Sequence, residues 1–283
     1  MKDALLRTSQ RLHLDAGARM ADGMRGRSIR VMVLHGTPAR HARSLEAQLR
    51  WVRDHFVVLH PSELLEILDG RAEPPARPAV ALTFDDGLAS NAEIAAPILE
   101  SLGMRGLFFV CPRFVETSGA DALQFFTRRI RLYDDPATLA PDDYLPMTRL
   151  MLRDLRRRGH TIGNHTYSHQ DLRQASGSSL EEEIVGARDV LGDWLGEAIT
   201  TFAWTFAWNA INRDAWALVR ASHRYCFTAC PGRNAIGPTC VWRTNVEAGL
   251  PAHVYRFFYS GLADPVWWSR RRRLAALHAQ LQR

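Results

Sequence analysis

Residues 83–87 read TFDDG, directly after the apolar run Val80-Ala81-Leu82. Two adjacent carboxylates, Asp85 and Asp86, therefore stand where a buried strand runs out. Charges at such a place cost free energy unless they are solvated, paired or bound to a cation. Side chains alternate along an extended segment, so two neighbours at a strand end can face different surroundings and do different work. Asp-Gly is also an ordinary turn signal, and the rest of the chain has to decide between the two readings.

Working outward, short β-rich apolar runs recur at 29–34, 56–59, 80–84, 106–110, 161–163, 201–204, 225–228 and 239–242. Between most of them lie stretches with helical spacing. Leu45, Leu49, Val52 and Phe56 form one stripe behind Ser44, a predicted N-cap. Ile184, Ala187, Leu191 and Trp194 form another, preceded by Ser179 and Glu182 in a capping-box arrangement. Strands alternating with helices predict an α/β protein with a mostly parallel sheet, open or closed into a barrel. The stretch 112–148, rich in Pro and Asp, reads as an insertion over one end of that sheet. We read one domain over 29–262, with a polar leader over 1–28 and a basic tail over 263–283.

The chain has 36 basic and 30 acidic residues, a net charge of +6, and Lys2 is its only lysine. Mechanisms that need an internal lysine are thereby excluded: Schiff-base chemistry, P-loop phosphate binding and the kinase strand lysine. Four cysteines make no CxxC pair, so reduced and mostly buried thiols are expected. No apolar run is long enough to span a bilayer, and the first 28 residues lack the apolar core of a signal peptide. A cytoplasmic location is the expectation. The run Arg270-Arg271-Arg272-Arg273 follows Trp267-Trp268. Trp267–Arg273 reads either as part of a solvated helix or as a peripheral contact with the inner membrane surface and a lipid-linked substrate. Basic charge is local and no nucleic-acid motif accompanies it, so no nucleic-acid partner is expected.

A second cluster lies in 159–172, GHTIGNHTYSHQDL. His165 and His169 are four apart, so a helical turn or a compact loop can aim both imidazoles at one point. Two imidazoles and a carboxylate make a metal site with positions left open. Such a pair is most often surface decoration, but this one follows an apolar strand, as TFDDG does. In α/β folds the C-terminal ends of parallel strands share one face, where active sites collect.

TFDDG, followed about 80 residues later by HTYSH, resembles the polysaccharide deacetylase family, also called the NodB-homology or carbohydrate esterase family 4 group. VMVLHGTP looks like that family's first strand, and LTFDDGLASNAEIAAPILESLGMRGLFFV like its strand–motif–helix–strand unit. The likeness runs in order over 29–262. It implies a distorted (β/α) barrel of about seven parallel strands. It also implies metal-dependent removal of acetyl from an N-acetylated sugar, in an oligosaccharide, a larger glycan or a lipid-linked glycan. Asp85 matches the general base, and Asp86, His165 and His169 match the ligands of a divalent metal. Zinc is the expected ion, with cobalt, nickel or manganese as alternatives.

Two motifs depart from the family pattern. In the third, Phe202-Ala203-Trp204-Thr205-Phe206-Ala207 puts Ala203 at the usual Arg position and Thr205 at the usual Pro position, closer to a FAYPFG-like branch. In the fifth, Val241-Trp242-Arg243-Thr244-Asn245-Val246 lacks the usual His, and resembles the Arg-containing strand of an exopolysaccharide-associated branch. Arg243 is expected to pair with Asp85 and orient it. It cannot be the acid, because a guanidinium stays protonated. The remaining candidates for the acid are metal-bound water and His35, at the end of the first strand; His35 is also a candidate substrate contact, and Trp204 and Phe206 are further substrate candidates. For Trp204, Trp208 and Trp216, core or rim packing is the first reading and sugar stacking the second. Two alternatives stay open: a non-catalytic glycan-binding relative, and a metal-dependent hydrolase of a small non-sugar amide.

Overall fold

The computed structural model describes residues 28–132, 134–206, 212–234 and 240–281; nearly all of the leader, and Trp208, lie outside this set. The apolar runs become β1 (Ile29–Leu34), β2 (Val57–Val58), β3 (Ala79–Phe84), β4 (Leu107–Val110), β5 (Thr161–Asn164), β6 (Thr201–Ala203), β7 (Tyr225–Phe227), β8 (Cys240–Val241) and β9 (Arg243–Asn245). Every pairing is parallel, and the order is β8-β7-β6-β5-β4-β3-β1-β9. β8 and β9 are separated only by Trp242, so the two ends of this order are one segment and the sheet closes on itself. The expected (β/α) barrel is therefore present. The short β2 sits beside it, along the first two residues of β3.

The seam is held by Asn234. Its side chain accepts from the Trp242 N–H at 2.8 Å and donates to the Trp242 carbonyl at 3.0 Å. Its own N–H donates to the Ile29 carbonyl at 2.9 Å. The backbone groups that a strand break would leave unpaired thus find partners.

Strand alternation sorts the core into two populations. Val31, Ala79, Ala81, Leu107, Phe109, Ala203, Phe227 and Val241 fill the inside of the barrel. Met32, Leu34, Val80, Leu82, Phe84, Phe108 and Val110 face the other way, onto the helices. There they meet Leu45, Leu49 and Val52 from the helix Ala42–His55, as the stripe predicts. The caps differ from the expectation. That helix begins behind His41 with no side-chain cap, so Ser44 lies inside its first turn. Gly177 precedes Ser178–Glu181, so Ser179 is inside a helical turn and not a cap.

The stretch 112–148 lies at the carboxyl end of β4. Its short helices gather their own small core of Leu88, Cys111, Phe114, Ala122, Phe126 and Ile130. Beyond 262 the chain stays on the barrel. Arg30 grips Asp264 through both guanidinium ends at 3.1 and 3.2 Å, and Leu274 is buried among Phe202, Trp204 and Trp216. No helix among the described residues is long and apolar enough to cross a membrane.

Gly163 on β5 is a packing requirement of the barrel interior. A β-carbon there would come within 2.6 Å of the Phe109 ring and 2.5 Å of the Thr201 hydroxyl. Over-packing of a filled core typically costs about 1–3 kcal/mol. Gly163→Val is expected to lose at least that much, read as a lowered urea midpoint at unchanged slope.

Candidate functional site

β3 ends at Phe84, but the Asp85 N–H still donates to the Leu34 carbonyl at 3.0 Å, so Asp85 continues the ladder for one residue. Its side chain points into the mouth of the barrel. Arg243, on β9, is opposite Val31 in the register and faces the same interior. Its Nη1 and Nη2 donate to the two Asp85 carboxylate oxygens at 2.6 and 2.8 Å. Its Nε donates to the Thr228 carbonyl at 2.7 Å, and its guanidinium lies 5.2 Å from the Phe109 ring centre. Burial by itself pushes the Asp85 carboxyl up. The Arg243 charge and its hydrogen bonds outweigh it and hold the group below the usual carboxylate range.

Asp86 is placed by a different device. Its φ is 75° and that of Gly87 is 82°, so the chain leaves the strand through two successive left-handed residues. An extended residue here would have alternated to the helix side of the sheet. The turn carries Asp86 back over the mouth instead, so both carboxylates line one cavity. Gly87 is required twice, since a β-carbon would also sit 2.9 Å from Val110 Cγ1.

HTYSH is a compact loop, not a helical turn. Thr166 and His169 have φ of 66° and 55°, a conformation that costs free energy and is found at functional sites. The loop is clamped by Glu183, which sequence reading missed. The Glu183 carboxylate accepts from Ser168 N–H at 2.9 Å and its hydroxyl at 2.5 Å, and the Glu183 carbonyl accepts from Tyr167 N–H at 3.0 Å. Glu183 sits in a wider, π-type turn over Glu182–Gly186. Such a turn relaxes the normal helical bonding and is common at functional sites. In the sequence Glu183 reads as one of three consecutive glutamates, which carries no signal of its own.

The result is a three-residue cluster. His165 Nε2 and His169 Nε2 lie 3.5 and 3.4 Å from the same oxygen, Asp86 Oδ1. The other nitrogen of each ring meets a backbone carbonyl: His165 Nδ1 that of Ala203 at 3.0 Å, His169 Nδ1 that of Arg129 at 2.7 Å. A carbonyl can only accept, so Nδ1 carries the proton and each Nε2 turns a lone pair toward Asp86. This is the usual arrangement of metal-binding imidazoles. Both Asp86 oxygens are buried without a well-formed hydrogen bond, an expensive state that a cation would relieve. Among the described residues this is the one group of His, Cys, Asp and Glu side chains close enough to share an ion.

The remaining candidates surround this cluster. His35 lines the cavity with its Nδ1 3.3 Å from Glu247 Oε1. Burial alone would lower its pKa, but Glu247, then Asp86 and Asp85, raise it to about 9. Phe206 meets the His169 ring edge-on, with centres 4.9 Å apart. Trp204 edges the cavity but is 2% exposed, and its ring stacks on Trp216 in the core. Ala203 serves through its carbonyl alone. Thr205 ties its loop down by donating its hydroxyl to the Gln170 carbonyl at 2.6 Å, which restrains the chain where a proline is lacking. His160 is a packing residue that accepts from Gly106 N–H at 3.0 Å and touches Glu100.

Removing one member of a buried ion pair leaves the other uncompensated, at about 3–5 kcal/mol. Arg243→Ala is expected to lose that much stability at neutral pH. A carboxyl held below its unfolded pKa contributes stability above that pKa and loses it as pH falls. The gap between wild type and Arg243→Ala should therefore narrow as pH falls below about 4, as measured by urea denaturation at each pH.

Residues 72–224 match the sequence profile of the family described as Polysaccharide deacetylase. Over 163 residues the chain is 19% identical to YxkH of Bacillus subtilis (strain 168), whose name also refers to polysaccharide deacetylases. That alignment takes in 57% of this chain and 49% of YxkH, so the chain spans about half the length of the curated relative it matches. Similar solved structures include a de-N-acetylase from Aggregatibacter actinomycetemcomitans, with TM-score 0.64, 16% identity, and 82% of this chain and 99% of that one covered. IcaB from Ammonifex degensii has TM-score 0.63 and 20% identity, over 83% of this chain and 97% of that one. Streptococcus pyogenes deacetylase PplD, solved with acetate, has TM-score 0.61 and 18% identity, over 78% and 93%. At these identities the structures speak for the fold. Asp85, Asp86, His165 and His169 fall inside the matched span, while His35, Arg243 and Glu247 fall outside it. With more than half of its length inside that span, the chain belongs to the polysaccharide deacetylase family.

Proposed function

We propose that this protein is a metal-dependent hydrolase that removes the acetyl group from an acetamido sugar of a glycan or glycolipid. The observation that carries the reading is the division of labour between neighbours. Asp86 is buried, unbonded and faced by two imidazole lone pairs, whereas Asp85 is locked in a bidentate pair. One is set up to hold a cation and the other to remain an ionised base beside it.

Asp86, His165 and His169 would hold a divalent ion, a donor set that suits zinc and that cobalt, nickel or manganese can also occupy. When bound, the ion acts as a Lewis acid that acidifies water and polarises the acetamide carbonyl. Asp85 is then the base. Arg243 occupies one lone pair on each Asp85 oxygen and leaves the others to take the proton of the attacking water. The oxygen that gives up this proton bonds to the acetyl carbon. As the carbon–nitrogen bond breaks, the departing amine needs a proton. His35, kept protonated by Glu247, is the group that supplies it and takes the place of the absent fifth-motif histidine.

Three outcomes test this. Asp85→Asn should cut acetate release from acetylated amino-sugar glycans by at least about a hundredfold, with metal stoichiometry unchanged by elemental analysis. His165→Ala should lose the metal itself. Metal-loaded protein that binds such glycans tightly but releases no acetate would instead be a glycan-binding relative.

The pH profile is a separate check. Asp85 is held ionised, so the acid limb should lie below the usual carboxylate value. His35 works only while protonated, so kcat/KM should fall on the alkaline side as pH passes through its pKa, which a cation on Asp86 would bring below the value of about 9 in the metal-free protein. Glu247→Gln removes the charge that raises His35, and should move this limb toward neutrality.

A further inference from the structure

The cavity holding Asp85, Asp86, His165 and His169 has a volume of about 670 Å³ and extends well beyond them. From the cluster it runs along a wall of Ile130, Phe206, Phe257, Phe258, Val266 and Trp267. These side chains come from separate places: the 112–148 insertion, the turn after β6, the helix Ala252–Ser260 and the turn Asp264–Trp267. Apart from Arg131, the charged or titratable groups lining the cavity are those of the site itself, and its polar Thr205, Thr244 and Asn245 are not part of this wall. A glycan polymer carries hydroxyl groups along its length and needs polar partners as it is desolvated. A hydrocarbon chain needs none.

Exposed apolar side chains lie in this wall or next in the chain to cavity-lining residues. Val266 is 76% exposed and Trp268 58%, and Leu132, next in the chain to Arg131, is 48% exposed. These are three of the four most exposed large hydrophobic side chains among the described residues. Arg270 lies 4.8 Å from the Trp267 ring centre and Arg272 lies 5.4 Å from that of Trp268. Aromatic rings beside cations suit a surface with apolar chains on one side and anionic headgroups on the other.

We propose that the acetamido sugar acted on by this protein is carried on a hydrocarbon chain. The chain lies along Phe257, Phe258, Val266 and Trp267 while the sugar reaches Asp85. The sugar end of this inference rests on the deacetylase reading, and the hydrocarbon end rests on the apolar wall.

The test compares two substrate series with the metal-loaded full chain. One is N-acetyl-β-glucosaminides with methyl, butyl and octyl aglycons, below their micelle concentrations. The other is N-acetylated chito-oligosaccharides of two to four sugars. A fully buried methylene contributes about fourfold, so partial burial of the octyl chain should raise kcat/KM at least about tenfold over methyl. The sugar series should stay flat. Calorimetric binding of the octyl and methyl compounds to Asp85→Asn gives a readout that needs no turnover. Chain-length-dependent binding with no acetate released from any compound would sustain the inference and sink the deacetylase reading. Acetate release that is equal for methyl and octyl, or that rises with sugar number instead, would overturn the inference and leave that reading standing. Val266→Asp, at an exposed position the fold tolerates, and Trp267→Ala should each lower the octyl-to-methyl ratio at least about threefold. An unchanged ratio in both would remove the assigned wall.

Discussion

The rest of this architecture depends on one buried ion pair, Arg243 with Asp85. Either charge alone inside the barrel would carry an uncompensated desolvation cost of several kcal/mol. Together they meet those costs with two short hydrogen bonds, and the Thr228 carbonyl and Thr83 hydroxyl take up more of the guanidinium. The pair also links the strand bearing the paired carboxylates to the strand that closes the sheet. The group that orients the Asp85 carboxylate is in this way also part of the barrel's closure.

The altered motifs become coherent in this light. Ala203 on β6 and Arg243 on β9, which follows β8 after Trp242, both point into the barrel interior. The guanidinium that meets Asp85 comes from β9, and β6 contributes none. What remains needed at position 203 is a carbonyl for His165, which any residue supplies. Thr205 holds its turn by a hydrogen bond where a ring would have held it by restricting φ.

Much of this was legible in the sequence because it is written in local patterns. The strands announce themselves as short apolar runs, and Leu45, Leu49 and Val52 trace a buried helical stripe. TFDDG and HTYSH together name the four central side chains. What was not legible depends on contacts between distant segments or on backbone conformation. Asp86 and His169 reach the cluster only through left-handed residues, which no side-chain alternation foretells. Glu183 clamps the histidine loop from a helix that begins beyond it, and Glu247 reaches His35 from the opposite end of the domain. The expected caps at Ser44 and Ser179 failed for a related reason: a capping residue is recognised by pattern, but packing decides where the helix begins.

The barrel's last strand is also the last part of it to be synthesised. Asp85 precedes its counter-charge by 158 residues, an interval of roughly 8–30 s at ordinary rates of translation. Throughout that time the carboxylate must stay in water, because nothing yet exists to neutralise it in a dry interior. A nascent chain can form β1, β3 and β4 and still hold an open, wet edge beside Asp85. Burial of this carboxylate therefore waits for the final strand, which brings its own positive charge into the space it seals.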